Sequence, residues 1–224
     1  MDAYEKKVPA VVIKRLPRYY RYLSELLNQG TTRISSGELS KKMGVTASQV
    51  RQDFNYFGGF GQQGYGYNIE YLLPEIEKIL GLNNGYKTVI FGAGHLGHAL
   101  ANHAAFARRG FKLCAIFDIN PELIGAKING AIVLPEDCME EYIRAHKIDI
   151  AILAVPKNVV QEIADKLADC GIKGIWNFSY AELKTKPDVA VENVHLTDSL
   201  MTLSYKITKE NKKNNCKKEL FKKS

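Results

Sequence analysis

No apolar run in this 224-residue chain approaches the roughly 20 residues that a membrane span needs. The first residues lack the apolar core of a signal peptide, so a soluble cytosolic protein is expected. Cysteine is sparse. Cys114, Cys138, Cys170 and Cys216 stand far apart with no C-x-x-C pair, which argues against a disulfide framework or a thiolate metal site and for reduced thiols. Histidine is scarce too. His95, His98 and His103 have no evident acidic partner in sequence of the kind a catalytic pair requires. For these and for His146, surface or packing roles are expected. Hydrophobic residues at 46% and charged residues at 25% are ordinary for a globular chain of one large or two small domains.

Charge is unevenly spread. Residues 1–60 hold 10 Lys/Arg against 5 Asp/Glu, and residues 206–224 hold 8 against 2. The stretch between is slightly acidic. A basic head on an acidic body points to a polyanionic partner for the head, with a merely solvated basic surface as the plain alternative.

The most informative stretch is Thr88-Val-Ile-Phe-Gly-Ala-Gly-His-Leu-Gly97, an apolar strand running into G-x-G-x-x-G and then a helix-like run. This is the fingerprint of a dinucleotide site in its strand–turn–helix context. Gly92 permits the tight turn, Gly94 lets backbone approach a pyrophosphate, and Gly97 lets the helix pack on the strand. Ala93, His95 and Leu96 complete the turn, and the pyrophosphate is expected at the helix N-terminus. The helix is expected to run to about Arg109, with His103 on it.

Phe111–Asp118 reads as the second strand, ending in an acid 21 residues beyond Gly97. That is where a carboxylate holds the adenine ribose 2′-OH and repels a 2′-phosphate, which favours NAD over NADP. Gly130–Leu134 and Asp149–Val155 read as strands, Asn158–Ala168 as a helix, and Lys173–Trp176 as a further strand. Val155, Pro156, Asn177 and Phe178 lie at strand carboxyl ends, where ligands sit in open α/β sheets. This Rossmann-type domain, residues 84–196, uses up the body and leaves no second domain for a substrate pocket.

The head, residues 1–83, opens with apolar positions Val12, Leu16, Tyr19, Tyr20, Leu23, Leu26 and Leu27 at helical spacing after Pro9, stopped by Asn28-Gln-Gly30. Arg15, Arg18 and Arg21 lie three apart along one side. Ser35-Ser-Gly-Glu38 and Thr46-Ala-Ser-Gln49 fit two capping boxes separated by Gly44. Helix, glycine turn and helix at this spacing form a helix-turn-helix. Its second helix shows Ser48, Gln49, Arg51 and Gln52, types that read base edges or hold phosphates, with Val45, Val50 and Phe54 inward. Tyr56–Tyr67 interleaves five glycines with five aromatics, which reads as a hairpin wing. The expected nucleic-acid contacts are therefore Arg15, Arg18, Ser35, Ser36, Thr46, Ser48, Gln49, Arg51, Gln52, Gln63 and Tyr65. A small helical dimerisation domain is the alternative for the head.

Beyond a last strand near Glu192–Leu196, Thr197 can cap a helix carrying Leu200, Leu203, Tyr205 and Ile207, whose apolar face needs a partner. Residues 197–210 are expected to form a swapped, dimer-forming helix. The lysine-rich residues 211–224 are expected to be a frayed, solvated tail.

The order of these motifs resembles the Rex family of redox-sensing transcriptional repressors over residues 8–207. The residues that carry the resemblance are Arg15-Leu-Pro-Arg-Tyr19, Ser35-Ser36, Val50-Arg51, Asp53, Tyr56-Phe57-Gly58, Phe60-Gly61, Gly64-Tyr-Gly-Tyr67, the glycine fingerprint, Phe117-Asp118, Val155-Pro156, Gly171-Ile-Lys-Gly174 and Asn177-Phe178. The resemblance implies an α/β chain with a winged-helix head, a Rossmann body and a domain-swapped C-terminal helix. It implies a homodimer that binds palindromic double-stranded operator DNA at low NADH and releases it when NADH accumulates, with no metal and no catalysis. The chain departs from the family pattern at Gln52 and Gln63, where basic residues are common. It departs also at His103, where tyrosine is common, and at His195, where an acid is common. Those two positions are implied to couple the nicotinamide state to Arg21, and two histidines cannot make the same contact. An NAD-dependent oxidoreductase with an oligomerising head, and a CoA-binding module on the same fold, remain alternatives.

Overall fold

The structure, a computed structural model, describes residues 8–58, 61–62 and 65–221. It divides into two compact units, residues 1–84 and 85–224.

The first unit begins with α1 (Ala10–Asn28), which has Pro9 at its N-cap position. Val12, Leu16, Tyr19, Leu23 and Leu26 form its buried stripe, and Gly30 at φ +80° ends it. A strand not expected from the sequence follows, β1 (Arg33–Ile34). Next is α2 (Ser36–Met43), whose capping box is complete. Ser35 Oγ accepts the Glu38 amide at 3.1 Å, and the Glu38 carboxylate accepts the Ser35 amide at 2.8 Å. Gly44 turns the chain in the left-handed conformation. In α3 (Ala47–Asn55) only half of the expected second box forms. Thr46 Oγ1 accepts the Gln49 amide at 3.1 Å, but the Gln49 side chain turns to Asp53.

The wing is β2 (Gly61–Gln62) with β3 (Gly66–Asn68), and β1 pairs on the other side of β3 to make a three-stranded antiparallel sheet. Gln63 and Gly64, with Gly59 and Phe60, lie outside the described residues. Asn68 then caps α4 (Ile69–Ile79). Leu16, Leu39, Val50, Phe54, Ile69 and Ile76 close one core, with the Tyr19 and Tyr67 rings flanking Phe54 at 4.9 and 5.0 Å.

The second unit starts with β4 (Tyr86–Phe91) and α5 (His95–Ala101). The helix does not run on to Arg109 as expected. Asn102 donates to the His98 carbonyl at 2.9 Å and Asn129 to the Ala101 carbonyl at 2.8 Å, so side chains close the helix end. His103 therefore lies in the break before α6 (Ala105–Arg108), not on the helix.

The chain continues through β5 (Phe111–Asp118), the edge hairpin of β6 (Lys127–Ile128) and β7 (Ala131–Pro135), and α7 (Met139–His146). Neither β6 nor α7 is among the elements expected from the sequence. Two residues cannot show a period, and α7 buries only Met139 and Ile143. Then follow β8 (Ile150–Leu153), α8 (Val160–Asp169), β9 (Gly174–Asn177) and β10 (Ala190–Asn193).

The strands form one sheet in the order β10-β9-β8-β4-β5-β7-β6, parallel except for β6. Alternation along β4 sends Val89 and Phe91 into one core and Ile90 into the other, so both faces are covered. The chain builds outward from β4 on one side and then returns to build on the other. The strand order therefore reverses beside β4.

The last element is α9 (Leu196–Phe221), which starts before Thr197 and corrects the expected frayed tail. Residues 206–221 hold neither Gly nor Pro and are rich in Lys, so nothing in them stops the helix. Leu196, Leu200, Met201, Leu203, Tyr205 and Ile207 are all exposed, at 50–65%.

Candidate dinucleotide cleft and nucleic-acid interface

At the switch point beside β4 lies an open cleft of about 320 Å³, lined by Gly92, Gly94, Asp118, Val155 and Pro156 among others. The glycine turn is tight beneath and open above. A Cβ on Gly97 would overlap the Gly92 carbonyl oxygen, and one on Gly92 would lie 2.5 Å from the Ala154 carbonyl oxygen. A Cβ on Gly94 would meet nothing within 4 Å. This asymmetry fits a pyrophosphate approaching backbone at Gly94. Gly94 is also the N-cap of α5 and offers no side chain to its first amides.

Asp118 closes the cleft's far lip. Its Oδ2 accepts the Ala93 amide at 2.6 Å and its Oδ1 the Asn120 amide at 2.8 Å. The strand-end acid thus clamps the glycine turn as well as facing the cleft, a second role that the spacing alone did not reveal. Each oxygen keeps a lone pair for a ribose hydroxyl. Among the cleft residues missed in the sequence are Ile119, 82% exposed, and the carboxylates Glu136 and Glu162. Burial pushes the Glu136 carboxyl up, and the charges of Glu162 and Asp118 add to that. No arginine lines the cleft, so its acidic wall is set against a 2′-phosphate.

Asn177 and Phe178 are not among the residues lining this cleft. Asn177 is fully buried. Its Nδ2 donates to the Ala181 carbonyl and to Asn193 Oδ1, both at 2.8 Å, and its Oδ1 accepts the Ser179 amide at 3.0 Å. It ties down the loop after β9. Phe178 packs on Trp176, with ring centroids 4.7 Å apart, on the sheet's other face. His95 is exposed at the turn and Leu96 is half-buried. His103 is exposed and stacks on Phe106 at 4.6 Å. The His195 ring stacks on Tyr180 at 5.8 Å, and its buried Nδ1 has no hydrogen-bond partner within the described residues. Among those residues no cluster of His, Cys, Asp and Glu could hold a metal ion, and no helix is long and apolar enough to cross a membrane.

On the helix-turn-helix, Ser48, Arg51 and Gln52 are exposed along α3, and Tyr65 is 73% exposed at the wing. The expected arginine stripe on α1 is largely engaged inside the unit. Arg15 is bidentate to Asp53, and Arg18 Nη2 donates to the Met43 carbonyl at 3.0 Å. Arg21 is exposed beside the Tyr22 ring. Arg51 Nη1 donates to Ser36 Oγ at 3.0 Å, linking the two helices of the motif. Ser35 and Thr46 are occupied as helix caps.

The fold and these two surfaces define a two-domain protein, a winged helix-turn-helix followed by a Rossmann-type nucleotide-binding domain. Residues 7–55 match the family described as "Putative DNA-binding protein N-terminus", and residues 83–181 that described as "CoA binding domain". The chain is 56% identical over 217 residues to the redox-sensing transcriptional repressor Rex of Thermoanaerobacter pseudethanolicus, covering 97% of this chain and 93% of that one. To the repressor of that name from Clostridioides difficile it is 54% identical, covering 92% and 98%. Its fold is similar to the crystal structure of RSP with β-NAD+ and operator DNA, with a TM-score of 0.86, 55% identity and 94% and 97% of the two chains covered. The complex of RSP with β-NADH gives 0.87, 52%, 94% and 99%. The chain belongs to the Rex family of redox-sensing transcriptional repressors.

Proposed function

We propose that this chain is a cytoplasmic, homodimeric repressor that binds palindromic operator DNA and leaves it when NADH fills the cleft. The observation that carries this is the pairing in one chain of a helix-turn-helix with a dinucleotide cleft clamped by Asp118. Gly92, Gly94 and Gly97, with the amides of Ala93, His95 and Leu96, would cradle the pyrophosphate. Asp118 would hold the adenine ribose, while Val155 and Pro156 would flank the path toward the nicotinamide. Ser48, Gln49, Arg51 and Gln52 would face the major groove, with Tyr65 of the wing on the DNA backbone.

Two copies would join through the exposed apolar face of α9, which a lone chain leaves in water. Arg21, His103 and His195 would couple the head to the nicotinamide state.

NADH and NAD+ differ at the nicotinamide by one charge and by ring planarity. The protein would read that difference without turning the nucleotide over. A ligand moves a two-state equilibrium only by its differential affinity, and each tenfold preference is worth about 1.4 kcal/mol. Titrating the NADH/NAD+ ratio against a palindromic duplex in gel shift tests the proposal. Loss of the complex as NADH rises is expected, and equal DNA affinity with NADH, NAD+ and no ligand would sink it.

The match of residues 83–181 to a CoA-binding family favours a second reading, a CoA-responsive module. The carboxylates of Asp118, Glu136 and Glu162 speak against the adenosine 3′-phosphate of CoA in this cleft. Calorimetry with NADH, NADPH and CoA separates the readings.

A further inference from the structure

Asp53 is fully buried on α3 and accepts four hydrogen bonds. Arg15 Nε reaches Oδ2 and Arg15 Nη2 reaches Oδ1, both at 2.7 Å, and Tyr19 Oη reaches Oδ2 at 2.8 Å. These three come from α1 and fix α3 against it. The fourth differs in kind. Gln49 Nε2 donates to Oδ1 at 3.1 Å from one turn earlier on α3, and Gln49 is half-exposed between Ser48 and Gln52 on the helix surface.

The chemistry of the acceptor fixes which way the Gln49 amide points. Burial pushes the Asp53 carboxyl up, but hydrogen bonds from Arg15, Gln49 and Tyr19 outweigh it and hold it below the usual carboxylate range. An ionised carboxylate offers acceptors only, so the Gln49 group turned toward it must be the NH2, never the carbonyl. That leaves Oε1 and one amide hydrogen, an acceptor beside a donor. The major-groove edge of adenine presents the complement, the N6 donor beside the N7 acceptor. A glutamine on a free helix surface has no such fixed polarity.

Burial of the ion pair also needs a reason, because apolar side chains of the same volume stabilise a core at least as well. Orientation of a reading side chain supplies one.

We propose that Asp53 is a positioning residue for base specificity: it holds Gln49 as an adenine reader, with Arg15 as its counter-ion and Tyr19 as its second donor. Arg15 then acts inside the head and not as a phosphate contact. The proposal rests on α3 being the operator-reading helix.

Duplexes selected by the wild-type protein from a random pool supply the probe. Anisotropy against that duplex, its single-base-pair variants and a scrambled duplex is read without NADH. A wild-type protein with no preference for the selected duplex overturns both the operator reading and this one. Gln49→Met is expected to lose about tenfold discrimination at one A·T pair in each half-site. Asp53→Asn, whose own amide lets Gln49 turn over, is expected to lose it at the same pair. The double variant is expected to lose no more than either single one, since the two act as a unit. Affinity for the scrambled duplex is expected to stay constant throughout, because phosphate contacts are separate.

A loss in Asp53→Asn that falls equally on selected and scrambled duplexes, or that adds to that of Gln49→Met, overturns the proposal. Where Asp53→Asn fails to fold, Gln49→Glu decides. Two carboxylates then share the site, so operator binding is expected to rise relative to wild type as pH falls from about 7.5 to about 5.5. A pH profile parallel to wild type overturns the proposal.

Discussion

In the head, α3 is held to α1 by three hydrogen bonds to one buried carboxylate. In the nucleotide-binding body, the glycine turn is held by backbone set so close to backbone that a Cβ cannot enter. The difference follows from what each surface must present. A groove reader displays side chains, so other side chains must aim them. A phosphate cradle displays amides, so the backbone must be positioned and side chains kept away. The first solution depends on ionisation and the second on shape. Each is expected to fail in its own way and in its own domain.

The sharpest break is Asp53→Ala, which strands the Arg15 guanidinium in a half-buried site. Removing one partner of such a pair costs about 3–5 kcal/mol. Operator binding is expected to fall by more than a hundredfold while NADH affinity, read by fluorescence titration, is kept. The same pair gives the head an acid limit. The folded-state carboxyl titrates below its unfolded value of about 4. The pair's contribution is therefore complete above about pH 4 and is lost as pH falls through the folded value. The stability of Asp53→Asn is expected to depend less on pH in that window, as circular dichroism melts would show.

Gly97→Ala is the mirror experiment. Its methyl would overlap the Gly92 carbonyl oxygen, and overpacking of this kind costs about 1–3 kcal/mol or more. NADH binding is expected to disappear at every pH, with ligand-free operator affinity retained. A pH-dependent loss would mean that the turn is not held by shape.

Asp118→Ala is milder. It removes a charged hydrogen-bond acceptor worth about 1.5–3 kcal/mol, so NADH affinity is expected to fall at least tenfold and preference over NADPH to shrink. Operator affinity without ligand should not change. At the bottom of the scale, Lys186→Ala breaks an exposed pair with Asp169 at 2.6 Å, and its melting temperature is expected to match wild type within error.

The parts most legible in the sequence were those whose signal is local. The capping box at Ser35–Glu38, the glycine turn at Gly44 and strand β5 from Phe111 to Asp118 fell where their residues said. The glycine turn between β4 and α5 was legible because three glycines at fixed spacing have few other uses. The rest depended on partners distant in the chain. Nothing near Arg15 announces that Asp53, 38 residues on, will claim it, so an arginine stripe looked free. Asn177 sat at the right strand end for a cofactor contact, but its amide is engaged by Ala181, Ser179 and Asn193. Helix α5 was read too long because the carbonyl at its end is closed by Asn129, 28 residues later. Glu136 and Glu162 entered the cleft unannounced, brought there by the end of β7 and by α8.

The glycine turn, the helix-turn-helix and the order of the two domains were determined by the sequence alone, because each rests on residue types whose backbone and capping needs act within a few positions. The tertiary structure alone decided which charged and amide side chains stay free to meet a ligand. A side chain's availability depends on every group that packing brings within hydrogen-bond reach, and packing is not local.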